Sequence, residues 1–68
     1  MTIKQIISSL GGVSVVRKEL NIKYNSLIYG WIYRGVIPSW RINELISLAE
    51  KQENYAAIKN LNNLRRTI

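Results

Sequence analysis

Apolar side chains recur along this chain at the spacing of a helix, and breaks between the recurrences fall on residues that stop helices. Ile3, Ile6, Ile7 and Leu10 form the first stripe, an i, i+3, i+4, i+7 pattern that puts all four on one helical face. Thr2 and Gln5 precede and enter it at the spacing of a capping box, in which hydroxyl and amide each satisfy a free backbone donor. Gly11 and Gly12 end it. Val13, Val16 and Leu20 form a second stripe, closed by Asn21, a residue that tolerates the left-handed conformation of a sharp helix exit. Ile22 plugs the elbow, and a third stripe restarts almost at once, from Leu27 or Ile28 to Trp31 and Ile32.

Further on, Gly35 reads as the cap that closes the third helix, and Pro38 pushes Ile37 into an extended conformation. Ser39 is expected to cap a fourth helix carrying Ile42, Leu45, Ile46 and Ala49, with Arg41, Glu44, Lys51 and Glu53 on its wetter sides. Asn54 is placed to cap a last helix with Tyr55, Ile58, Leu61 and Leu64 at intervals of three. The prediction is an all-α bundle of four to five short helices. Residues 1–53 form its main unit and residues 54–68 a terminal helix or tail. That last stripe must be buried, either back over the first and fourth helices or against its copy in a symmetric dimer. The second and third helices, joined by so short a turn, have the outline of a helix-turn-helix.

Charge sharpens the picture. Ten Lys and Arg stand against four Glu in 68 residues, a net charge of +6 and a pI near 10.1, which points to a polyanionic partner. A core of this size is marginal, which makes a second copy of the chain attractive. The chain has no cysteine, hence no disulfide or thiolate metal site, and suits a reducing cytoplasm. Its apolar runs fall far short of the roughly 18 residues of a membrane span, and no signal-peptide core is read at its start. With no His, no Cys and glutamates confined to the second helix and to 44–53, no acid–base pair or positioned nucleophile is found, so no enzyme, cofactor or small-molecule substrate is expected.

The polar residues with something to do lie at the turn and the start of the third helix. In a helix-turn-helix that end enters the major groove of double-stranded DNA. Asn25 can bond both N6 and N7 of adenine, Ser26 can donate or accept, and Lys23 can reach guanine or phosphate. Tyr24 offers a ring to a thymine methyl and a hydroxyl to phosphate. Tyr29 falls one turn after Asn25 on the same face. Their bland alternative is an ordinary surface helix with Asn25 or Ser26 as its N-cap. Ser14 and Arg17 on the second helix are candidates for backbone phosphates. Gly30 is unfavourable inside a helix, which implies tight packing or a nearby ligand surface.

The set of Gly11-Gly12, a Val/Leu helix, Asn21-Ile22, Trp31, Arg34-Gly35, Ile37-Pro38 and Arg41 resembles the small Cro-like repressors of temperate phages and their bacterial relatives over about residues 3–50. The resemblance implies a lambda-repressor-like fold, operator binding usually as a dimer, and repression of transcription in a bacterial or phage-infected cell. It also implies base readers at Tyr24, Asn25, Ser26 and Tyr29, and backbone contacts at Ser14, Arg34 and Arg41. Two departures stand out. Arg17 occupies a place where that family has a small residue, so either its side chain snorkels outward or the two helices are more widely separated. The turn is one residue longer, so the core site falls on Gly30 or Trp31, with Trp31 preferred as the larger apolar group. Two other functions fit the same scaffold: an excision-type factor that bends DNA, and a protein-binding adaptor using Tyr24, Tyr29, Tyr33 and Trp40.

Overall fold

A computed structural model describes residues 2–66 of the chain, without the side chain of Arg66. Thr67 and Ile68, the end of the expected terminal segment, lie outside the described residues. The described chain is entirely helical and has no strand. Its helices are α1 (Ile3–Ser9), α2 (Val13–Glu19), α3 (Asn25–Arg34), α4 (Ser39–Lys51) and α5 (Tyr55–Arg66).

Four of these helices leave by one device. Gly11, Asn21, Gly35 and Glu53 have φ of 111°, 56°, 71° and 55°. The residue after each sends its N–H five residues back: Gly12 to Ile7, Ile22 to Arg17, Val36 to Trp31 and Asn54 to Ala49, at 2.8–3.2 Å. Carbonyls that a helix end leaves unpaired are satisfied in this way while the chain reverses. At Gly11 the requirement for glycine is double, since a Cβ there would also lie 3.0 Å from the Val15 side chain. Glu53 was expected on the wet side of the fourth helix, but the helix stops at Lys51 and Glu53 is the left-handed residue of its exit.

The helix starts divide into those capped by side chains and those that are not. Thr2 and Gln5 make the reciprocal capping box, at 2.9 and 3.2 Å. Asn54 accepts from the Ala57 N–H at 3.2 Å, capping α5. The expected Ser39 cap is displaced: Pro38 is the N-cap of α4, because its extended ψ of 139° ends the loop one residue earlier. Tyr24 is the extended N-cap of α3, so neither Asn25 nor Ser26 serves as cap and both lie inside the first turn.

A single core joins all five helices. Ile6, Ile7, Leu10, Val16, Ile28, Trp31, Ile42, Leu45 and Leu61 are almost wholly buried. Trp31 takes the central site while Leu27 is exposed and Gly30 only half-buried, which decides the register in favour of Ile28 and Trp31. The terminal stripe folds back over α4 and α1. Its buried members are Ala57 and Leu61, with Ile58 and Leu64 packed partly against them. Tyr55 was expected in that stripe but is 73% exposed; the methyl of Ala57 takes the inward place and lets the helices approach closely. The Cα radius of gyration is 10.5 Å, near the roughly 11 Å of a compact chain this long, so α5 is not splayed outward.

Candidate nucleic-acid interface

The elbow between α2 and α3 is set by Asn21 in its left-handed conformation and by Ile22, which is buried. This turn delivers Lys23 and Tyr24 to the side of α3 opposite its core stripe. Along α3 the residues Ile28 and Trp31 point inward. At 100° per residue, Asn25, Tyr29, Tyr33, Ser26, Gly30 and Arg34 occupy the remaining arc in that angular order.

One edge of this arc borders an open groove of about 490 Å³ shared by the turn, α3 and the start of α4. Lys23, Tyr24, Ser26, Gly30, Arg34 and Arg41 contribute to its wall. Three cations therefore converge on it, and no acidic side chain lines it. Glu19 and Glu44 line a separate depression between α2 and α4, with Lys51. The Lys23 ammonium stands 5.5 Å from the centre of the Tyr24 ring, a weak cation–π contact that leaves its protons to solvent.

Arg41 is the most constrained of the three. Its side chain is 16% exposed and bonds Glu44 Oε1 through Nη1 at 2.8 Å. Its guanidinium lies over the Trp40 ring, 4.2 Å from the centroid. The Nε–H is buried and meets no acceptor among the described residues. Arginine suits such a position because its planar fork can stack and pair at once. Arg34 is exposed, and its side chain makes no hydrogen bond or ion pair among the described residues. Its guanidinium lies back along α3 over Gly30.

Of the residues singled out in the sequence, the structure thus brings together Lys23, Tyr24, Ser26, Arg34 and Arg41. Asn25 and Tyr29 lie next to this groove on α3, exposed but outside its wall. Tyr29 lines instead a neighbouring, mostly apolar surface with Ile32 and Tyr33, which shares Gly30 and Arg34 with the groove, and Tyr33 is 94% exposed. Ser14 and Arg17 sit on α2 and do not line the groove. Ser14 is exposed; Arg17 is half-buried, and no charged side chain is buried among the described residues. The Arg17 side chain therefore keeps access to solvent.

Ile22 and Leu27 also line the groove without having been read as site residues, and two polar or aromatic contributions escaped the sequence reading. Asn21 contributes to the groove as well as ending α2, and Trp40 holds the Arg41 guanidinium. The Trp40-Arg41 adjacency was visible, but whether neighbours stack at a helix start depends on rotamers that no spacing encodes.

Among the described residues the site holds no cluster of His, Cys, Asp or Glu able to bind a metal, and no helix is long and apolar enough to cross a membrane. These features define an all-helical basic chain with an exposed cationic groove. No family model, curated protein or solved structure matches the chain.

Proposed function

We propose that this chain is a sequence-specific DNA-binding transcriptional regulator, a repressor of the Cro type, in which α2, its turn and α3 act as a helix-turn-helix. The observation that carries this reading is the convergence of Lys23, Arg34 and Arg41 on one groove whose wall holds no acidic side chain, Arg41 alone of the three being ion-paired, to Glu44, beside the exposed polar start of α3. In the proposed complex α3 lies in the major groove. Asn25, Ser26, Tyr24, Lys23 and Tyr29 meet base edges, and Arg34 and Arg41, with Ser14 and Arg17 on the flank, meet phosphates. The protein acts by occupying its operator in a bacterial or phage-infected cell, with no catalytic step and no cofactor. A two-fold dimer on an inverted repeat is the arrangement proposed, and DNA bending in excision is a variant within the same class.

The test is selection of bound sequences from a random duplex library, followed by titration of the enriched site at two salt concentrations. An enriched inverted repeat, with half-sites about one helical turn apart, supports a dimeric DNA reader. Affinity should fall steeply with salt, because each neutralised phosphate releases counterions. Absence of any enriched sequence would sink the proposal. The second reading, a protein-binding adaptor, is favoured by the apolar surface of Tyr29, Ile32 and Tyr33, since aromatic residues are enriched at interfaces. Its binding would respond little to salt.

A further inference from the structure

Gly30 lies in the middle of α3, where glycine is less favourable than alanine. Its φ is not among the positive values of this chain, so the backbone does not require it. Helix packing does not require it either. Outside the helix's own backbone, a Cβ at position 30 would approach one group alone within 4 Å, the guanidinium of Arg34, with Nη2 at 3.3 Å and Cζ at 3.8 Å. Helical side chains lean toward the N-terminus and meet the residue four positions earlier. Arg34 does this over Gly30, and both line the cationic groove with Lys23, Tyr24, Ser26 and Arg41.

We infer that Gly30 is a positioning residue: it leaves the bare strip of helix on which the Arg34 guanidinium rests, at the edge of the groove where a DNA phosphate is bound. The inference rests on the DNA-binding reading for its ligand and on the free protein's geometry for the seat itself. A methyl at position 30 pushes the guanidinium outward by a few tenths of an ångström. The displaced group is the end of a flexible side chain, so α3 itself is not strained. Planar, two-pronged bonding to a phosphate depends on such placement more than attraction by a point charge does. Gly30→Ala therefore has opposite effects on stability and on binding.

The experiment compares the full-length wild type, Gly30→Ala, Arg34→Ala and the double variant, using a short mixed-sequence DNA duplex as probe. In the free wild type, NMR cross-peaks between the Gly30 Hα protons and the Arg34 side chain are expected; their absence overturns the seating. Gly30→Ala should raise Tm by about 3–8 °C, the gain of alanine over glycine in a helix. It should also weaken duplex binding about three- to tenfold, with Arg34→Ala lowering the salt slope by about one. The double variant should bind no more weakly than Arg34→Ala alone. A fall in Tm would mean that the glycine serves packing, and an unchanged affinity or additive losses would mean that it does not act through Arg34; each overturns the inference. A wild type that captures no duplex sinks the DNA reading instead, and the cross-peaks and Tm then decide the seating of Arg34 by themselves.

Discussion

The α1–α4–α5 corner and the α2–α3 groove use polar side chains in opposite ways. At the corner, Gln52 donates to the Leu10 carbonyl at 2.8 Å and Asn54 to the Ser9 carbonyl at 3.1 Å. The exit of α4 thereby satisfies the exposed end of α1. Arg65 forks between Asn43 and Asn62, both at 2.8 Å, fastening α5 to α4. That fastening is the role observed for Arg65. At the groove, Lys23 and Arg34 make no hydrogen bond or ion pair to another element among the described residues, and Arg41 is held by its neighbours on α4. Polar groups of the corner are cross-tied between elements, whereas Lys23 and Arg34 of the groove stay untied and Arg41 is tied only within its own helix. The hydrophobic core beneath both regions is shared, so the groove draws its rigidity from packing rather than from its own polar bonds.

That contrast can be broken in order of size. Trp31→Ala removes the central core side chain from beneath the groove and should destabilise by about 3–5 kcal/mol, enough to unfold much of so small a protein, as read by denaturant titration. Asn54→Ala loses both the α5 cap and the tie to α1; a loss of about 1–2 kcal/mol is expected, with duplex affinity per folded molecule unchanged. Glu53→Gly relieves a left-handed glutamate and should stabilise by about 0.5–1 kcal/mol, seen as a rise in Tm. Arg34→Ala should alter stability least, within about 0.5 kcal/mol, yet weaken binding to specific and random duplexes about equally. Asn25→Ala should instead reduce the preference for the selected site. If Arg34→Ala proved as destabilising as Asn54→Ala, the distinction between the two regions would fail.

Much of the architecture was legible because helix stops and stripes are local. The Thr2-Gln5 box, the exits at Gly11, Asn21 and Gly35, and the inward placing of Ile28 and Trp31 all follow from short-range rules of capping and period. The errors fell where two local rules compete. Ser39 has the chemistry of a cap, but Pro38 ends the loop first. Tyr55 has the spacing of the core stripe, but Ala57 lets α5 come closer to α4. Glu53 gave no sign of a left-handed residue, since nothing in its side chain favours that conformation.

The cationic groove was half legible. Residue type nominated Lys23, Tyr24 and Ser26, and the family resemblance nominated Arg34 and Arg41, but neither could say that these five would meet while Ser14 and Arg17 would lie outside the wall. Sequence determined the helices, their stops and the excess of positive charge, because each depends on residues within one or two turns or on composition. Only the tertiary structure decided which cations share a groove, that Arg41 alone of them is paired with an acid, and that Gly30 lies bare beneath Arg34. Those relations depend on how whole helices cross around Trp31 and on the rotamers that crossing allows, and neither is written in the spacing of any one segment.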